Sequence, residues 1–451
     1  MATLVTQLSS WGRYPVQTCE LERPERYAEL KPHAASLIAR GQGRSYGDAA
    51  LNENGRVILT ERVNRLLDFD SANGVLRSEA GVTLAEILDV IVPQGWFLPV
   101  TPGTKTISLG GAVAADVHGK NHHHDGSFGD YVLSMELILA DGSQLTCSPD
   151  SNPAIFWATV GGMGLTGIIG EVTLRLVPVQ SAYMMVKHHR ATSLEQLFQQ
   201  LQDPAVDDRY SVAWIDCLAS GAQLGRGVAM CGHHASVGEL PPEIVDLLTP
   251  KPRRSVSIPF NFPAWVLNPL SISAFNSAYY RREGGKREPF LTAYDPYFYP
   301  LDAISHWNRM YGKRGFVQYQ CVIPDTFAFN GIKLLLEALS GSRRPSFLAV
   351  LKRLGAASKG MLSFPMAGYT LALDLPIRDT GLFALLDKLD QIVLQHGGRV
   401  YLAKDARLSA ESFRAMYPQY EEWLKIKTAI DPENRFSSSL SRRLKIGGDT
   451  L

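Results

Sequence analysis

Three glycine-rich turns, and the titratable residues that follow the second, are where this sequence can do chemistry. The longest stretch runs from Pro102 to Asp130, PGTKTISLGGAVAADVHGKNHHHDGSFGD. Glycine tolerates positive φ and lets backbone lie directly against a ligand. Exposed N–H groups in such a turn, especially where a helix begins, suit a phosphate or diphosphate. His118, Lys120 and the run His122 to His124 come next, so a phosphate-cradling loop leads into groups that can carry protons or charge. Histidine is a common metal ligand. Adjacent loop residues seldom converge on one ion, however, and no Cys or carboxylate pattern supports the three histidines, so no metal is expected.

The other two turns are Gly41 to Asp48 (GQGRSYGD) and Gly161 to Gly167 (GGMGLTG). The last contains a literal GxGxxG. A Rossmann fingerprint follows a strand and opens a helix, with an acidic residue about 20 positions on. Here IIGEVTLRLVPV reads as a strand, and the expected acidic position falls in the basic Lys187–Arg190 stretch. The turn therefore belongs to some other construction.

The elements that position these turns are short. A helix is expected over Glu25–Leu30 and a strand over Ala35–Arg40, which feeds the first turn. Val57–Leu59, Leu66–Asp70 and Leu76–Ala80 read as further strands, and Leu84–Gln94 has the apolar spacing of a helix. Trp96–Val100 delivers the chain to the long loop. Val132–Leu139 and Gln144–Cys147 flank the turn Ala140-Asp141-Gly142-Ser143 as a hairpin. A helix over Ala154–Val160 precedes the third turn, and the strand Ile168–Val177 follows it.

Beyond residue 180 the pattern changes. Helices are expected over Ala191–Leu201, Phe329–Gly341 and Leu382–His396, the last stopping at Gly397-Gly398. Strands are expected over Tyr210–Asp216, Gly315–Pro324, Phe347–Leu354, Tyr369–Leu375 and Arg399–Ala403. Residues 233–300 are rich in proline, aromatics and charge and show few regular patterns. Ser409 is a natural N-cap for a helix ending at Met416. The whole reads as α+β, with a second domain made of a sheet covered by helices.

Composition narrows the function. At 451 residues the chain is too long for a single core. A formal charge of +1 gives no general attraction to nucleic acid or to anionic membrane. The cysteines, Cys19, Cys147, Cys217, Cys231 and Cys321, are scattered and without metal or disulfide spacing, which fits a reducing compartment. The first residues lack the pattern of an export signal, which suggests the cytoplasm. Val256–Ala278 is apolar, but prolines break it, so it is no regular membrane helix.

Taken together, the segments ARGQGRSYGD (39–48), PGTKTISLGGAVAADVHGKNHH (102–123), GSFGDYVLSMEL (126–137), FWATVGGMGLTGII (156–169), FVQYQCVIP (316–324) and YLAKDAR (401–407) resemble the vanillyl-alcohol oxidase family of flavoenzymes, with its PCMH-type FAD-binding domain. The resemblance spans nearly the whole chain in the expected order. It implies an α+β fold: a two-subdomain FAD-binding domain over 1–180, a substrate domain over 181–398 with a mobile lid near 233–300, and a return to the FAD domain over 399–451. The substrate domain would be an antiparallel sheet covered by helices.

The resemblance also implies roles. Arg40, Gly41, Gln42, Gly43, Arg44, Ser45 and Tyr46, with Pro102, Gly103, Thr104, Ser108, Gly110, Gly111 and Ala112, would hold the diphosphate and ribityl parts of FAD. Gly161, Gly162, Gly164, Gly167 and Ile169 would close over the adenine side. Val117, His118 and Gly119 would lie along the isoalloxazine ring, with Ala115 and Tyr401 as further contacts. Many relatives attach FAD through a histidine in a GxGHS turn; Arg44 stands there, so FAD is expected to be noncovalent, with Arg44 or Arg40 facing the diphosphate. Lys404 matches the family's active-site lysine. Tyr46 or His118 would accept the substrate proton, with Lys120, Gln318, Gln320 and Lys352 completing the site. Some members carry a cysteine beside the flavin where this chain has Ala372.

The reaction implied is oxidation of the 2-hydroxyl of a polyprenyl-phosphoryl ribofuranose to the keto sugar. A separate NAD(P)H-dependent keto-reductase would complete epimerisation to arabinose. Lys251, Arg253, Arg254, Arg281, Arg282, Lys286 and Arg287 surround the proline-broken apolar stretch, which suits a lipid phosphate and peripheral contact with the inner membrane. The alternatives are an oxidase of a soluble sugar, alditol or aldonolactone, and a flavoprotein without catalysis.

Overall fold

The computed structural model describes residues 3–203, 206, 208–263, 265–286, 288–344, 346 and 348–447. Arg287 of the basic cluster and Phe347 of an expected strand lie outside them.

Two small sheets build the first half. One has the order Leu4–Ser9, Val16–Glu22, Arg56–Leu59, Leu37–Arg40. Its inner strands pair in parallel, and parallel strands need cover on both faces. Leu37, Ile38, Val57 and Ile58 are accordingly all buried. The other sheet is antiparallel, in the order Leu66–Asp70, Val75–Glu79, Ile168–Arg175, Val132–Ile138, Gln144–Cys147. The helix Leu84–Ile91 covers it, burying Leu84, Ile87, Leu88 and Ile91, the one-face spacing that marked it in the sequence. Thr83 and Glu86 close its start as a capping box.

The second half is one eight-stranded antiparallel sheet. Its order is Phe290–Ala293, Tyr183–Ala191, Gly227–His234, Tyr210–Ile215, Ala349–Leu354, Gly368–Pro376, Phe316–Pro324, Arg399–Val400. The helices Leu194–Gln202, Ala328–Ser342 and Gly381–Gln395 pack on one face, where Tyr319, Cys321, Leu351, Leu371 and Leu373 join their core. The other face meets the first half of the chain. Phe316 to Ile323 is buried throughout, because both of its faces are covered. The edge strand Arg399–Val400 pairs with Phe316–Pro324 before the chain leaves this sheet.

Several elements differ from the sequence reading. The long glycine-rich stretch contains a helix, Leu109–Ala114, capped by Ser108, whose side chain accepts from Gly111 N. Glu25–Leu30 is only a 3-10 turn over Tyr27–Glu29. The irregular region near 233–300 holds a regular helix, Pro269–Glu283. Its start is typical, with Asn268 as N-cap and proline in the first turn. Its buried residues, Ile272, Asn276, Tyr280 and Glu283, mix polar with apolar, so hydrophobic periodicity did not expose it.

Candidate active site

All three glycine turns gather around the short helix Leu109–Ala114. The first turn lies against its start: a Cβ on Gly41 would come within 2.0 Å of Ser108 Oγ. The third lies on its end, where Gly161 N donates to Val113 O (3.1 Å) and Met163 N to Ala114 O (2.8 Å). Tyr401 Oη donates to Ala115 O at 2.7 Å, tying in the C-terminal segment. Gly43 holds a left-handed φ of 61°. Beside the first turn, Ser10 Oγ and Arg44 Nε are buried without a protein partner. Gly103 is exposed, with open space where a side chain would be. Close backbone approach and unpartnered polar atoms fit a dinucleotide diphosphate.

Not every expected contact faces this cleft. The Arg40 guanidinium donates to Ser9 O (2.8 Å) and Ala50 O (3.2 Å), bracing the turn from behind. Arg44 instead stacks over Trp11, 4.1 Å from the ring centroid. Gly110 allows the helix to sit on Ala80, and Gly162 and Gly167 crowd the carbonyls of Ala158 and Ile138. Those glycines serve packing. Gln42, Ser45, Pro102 and Thr104 are partly buried around the cleft, Ala112, Val117 and Gly119 are buried beneath it, and Ile169 packs in the core of the second sheet.

The polar residues of the large sheet meet this cradle on a single face. Strand register places Gln318 opposite Asp374, Gln320 opposite Ala372, and Lys352 opposite Thr370. Gln320 Nε2 donates to His118 Nε2 (3.0 Å) and to Thr370 Oγ1 (3.2 Å). His118 Nδ1 is buried with no partner. Gln318 Nε2 donates to Asp374 Oδ1 at 2.5 Å, and Tyr311 Oη donates to Asp374 Oδ2 at 3.4 Å. Lys404 Nζ stands over the Tyr46 ring, 4.1 Å from its centroid. Lys120 Nζ donates to the carbonyls of Tyr297 (2.9 Å) and Phe298 (3.3 Å).

Burial dominates the electrostatics. It brings Lys404 down to about 7, with Asp374 opposing and Lys352 assisting. It brings Lys352 to about 8, and Lys120 to about 7 with help from Lys352. Desolvation and the neighbouring lysines hold His118 well below its ordinary value, so the imidazole is neutral. Asp374 is pushed up to about 7 by burial. Burial also raises the Tyr46 phenol well above its usual value.

Asp374 is the site residue missed by sequence reading. A carboxylate at the buried end of the strand Tyr369–Leu375 was its one visible sign. In the histidine run, His122 Nε2 shares a hydrogen bond with Ser127 Oγ (3.1 Å), and its Nδ1 accepts from Gly355 N (3.0 Å). His123 Nε2 lies 3.4 Å from Ser211 Oγ.

Residues 20–148 match the family description "FAD binding domain", and residues 378–444 match "D-arabinono-1,4-lactone oxidase". The chain is 37% identical to decaprenylphosphoryl-beta-D-ribose oxidase of Mycolicibacterium smegmatis, over 98% of each protein. It is 35% identical to an uncharacterized protein of Streptomyces coelicolor over 80% of this chain and 100% of that one. A putative D-arabinono-1,4-lactone oxidase of Neurospora crassa is 30% identical over 37% of this chain. This chain belongs to the decaprenylphosphoryl-ribose oxidase family of FAD enzymes. It is an FAD-dependent oxidoreductase acting on CH–OH groups. On this face it presents Ala372 opposite Gln320, and its five cysteines are all buried.

The C-terminal segment clamps the site of this family member from outside. Arg443 pairs bidentately with Asp48 (2.7 and 2.9 Å) and reaches Asp405 at 2.8 Å. Asp48 ends the first turn, two residues after Tyr46, and Asp405 follows Lys404. Gly47 is pressed against the Asp405 carbonyl, 1.6 Å from where a Cβ would be. One guanidinium thus fixes the spacing of Tyr46 and Lys404. Arg443→Ala leaves two buried carboxylates unpaired, and the expected loss is about 3 kcal/mol of stability. Thermal unfolding checks this; an unchanged melting temperature would refute the clamp.

Proposed function

We propose that this chain oxidises the 2-hydroxyl of a polyprenyl-phosphoryl ribofuranose to the 2-keto sugar, the first half of an epimerisation to the arabinose form. A separate NAD(P)H-dependent keto-reductase would finish it. The observation that carries this reading is the end-to-end likeness to a decaprenylphosphoryl-ribose oxidase, together with the cluster of Lys404, Gln318, Gln320, His118 and Tyr46 against the glycine cradle. FAD, when bound, supplies the hydride acceptor. Arg44 in place of an attaching histidine supports noncovalent binding.

The side chains divide the remaining work. Gln318 and Gln320 are fixed by Asp374, Thr370 and His118, so they can hold a sugar without rearranging. Tyr46 keeps its proton at neutral pH and acts as a donor. His118 is neutral, and for it to take the hydroxyl proton its Nε2 must exchange the Gln320 hydrogen bond for the substrate's. Lys404, brought to about 7, holds positive charge beside Tyr46 and can exchange a proton near neutrality. A second reading, oxidation of a soluble aldonolactone, is favoured only by the match over 378–444.

Anaerobic titration decides between them. Polyprenyl-phosphoryl ribose is expected to bleach the yellow flavin and yield the keto sugar. Bleaching by a lactone or alditol alone would establish the second reading. In rapid mixing, His118→Ala is expected to slow flavin reduction by about 100-fold or more. Wild-type rates in both His118→Ala and Tyr46→Phe would sink the proton-transfer assignment.

We also propose peripheral contact with the cytoplasmic face of the inner membrane. No helix among the described residues is long and apolar enough to cross a membrane. Phe260, Trp265 and Leu270 are 62%, 74% and 83% exposed, and Arg253, Arg254, Arg281 and Arg282 belong to the same region. Apolar side chains with basic neighbours suit an anionic bilayer surface. Cosedimentation with phosphatidylglycerol vesicles should fall several-fold in a Trp265→Ala, Leu270→Ala double variant. Equal pelleting of variant and wild type would remove this patch from the account.

A further inference from the structure

The substrate class proposed above sets a condition on where its phosphate lies. The oxidised hydroxyl is on carbon 2 of the ribose, and the phosphodiester hangs from carbon 1. The anion must therefore enter the cleft with the reacting carbon. The exposed basic residues of the 251–286 region lie at the surface, and two of them are already engaged. Arg282 and Lys286 both pair with Glu283, at 2.7 Å each.

Inside the cleft the situation is reversed. Lys352 and Lys404 stand near His118 and Lys120 stands near Lys352, and among the described residues none of the three has an ion-paired carboxylate. The acid facing them, Asp374, is bonded to Gln318 and Tyr311 and lies toward Lys404. Lys352 is aligned with Thr370, which accepts from Gln320, which in turn donates to His118. Lys120 enters from the cradle loop, with its ammonium steadied by two carbonyls. Because Gln320 donates to its Nε2, neutral His118 carries its proton on Nδ1, a buried donor with no partner. Two ammonium groups and an orphan N–H without a matching anion describe a receptor for one.

We propose that Lys352 and Lys120, with His118 Nδ1–H, form the subsite that receives the phosphodiester of a polyprenyl-phosphoryl sugar, next to the reacting carbon. The inference rests on the function proposed above but makes a separate claim, that the phosphate is read inside the cleft and not at the surface lid. It also gives the phosphate a chemical part. Its charge offsets the lysines that keep His118 from accepting a proton, so proton acceptance is favoured once substrate is in place.

Calorimetric titration of the FAD-loaded protein with farnesyl phosphate, and with farnesol as the uncharged control, tests this without turnover. Lys352→Met is expected to weaken farnesyl phosphate at least tenfold and to leave farnesol unchanged. Lys352→Arg should stay within about threefold of wild type, since a charged donor is kept. Arg282→Ala should bind both as wild type does. If Lys352→Met does not fold, Lys120→Gln measured in the same way takes its place. Undiminished farnesyl phosphate binding in the lysine variants, or a loss confined to Arg282→Ala, overturns the subsite. Lysine-dependent phosphate binding with no oxidation of the polyprenyl-phosphoryl ribose would instead contradict the proposed function and leave the subsite standing.

Discussion

Positive charge held without a counter-charge at the junction of two domains is the constraint on which this structure turns. A lysine ammonium taken out of water is destabilised unless something anionic meets it. Here Lys352 and Lys404 flank one imidazole with Lys120 near Lys352, and the carboxyl facing them among the described residues, Asp374, is itself raised to about 7. Left to relax, such a cluster would swing toward solvent or recruit an acid. The rest of the fold prevents both outcomes.

It does so by over-determining backbone positions. The strands carrying Gln318, Gln320, Lys352 and Asp374 sit inside an eight-stranded sheet, with helices on the far face and the FAD-binding half on the near one. They cannot slip register without turning apolar residues such as Tyr319 and Cys321 out of their core. The loops opposite are fixed differently. Glycines allow the turns at 41–43 and 161–163 to press against one helix, and Arg443 locks Asp48 to Asp405. The site is a set of rigid parts held close enough to act on one small sugar.

Much of this was legible in the sequence, because the features involved are local or periodic. The glycine turns, the hairpin at 140–143, the Leu84 helix and the Ser409 cap were all visible, and each is found. Gln318 and Gln320 could be placed on one face from strand alternation alone. Pairing between distant segments could not. Arg40 looked as suited to a diphosphate as Arg44, until Ser9 and Ala50 took its donors. The histidine run had no role that the sequence could fix, and Ser127 and Gly355 satisfy His122. Asp374 was hidden because a charged residue inside a strand declares its partner only when the neighbouring strand is aligned. The Pro269–Glu283 helix was hidden because its buried positions mix polar and apolar residues.

The dependence of stability on pH probes the buried charge most directly. Lys352 titrates at about 8 in the folded chain, against 10.5 for its ordinary value. Between those values the unfolded chain holds a proton that the folded one has lost, so stability rises with pH there. The burial penalty is full below about 7 and gone above the unfolded value. Denaturant unfolding of wild type and Lys352→Met, from pH 7 to pH 10, isolates this residue. The variant is expected to be more stable at pH 7 by about 2 kcal/mol, after allowance for partial exposure, with an advantage that shrinks as pH rises. A variant less stable than wild type at pH 7, or a difference that does not change with pH, would contradict it.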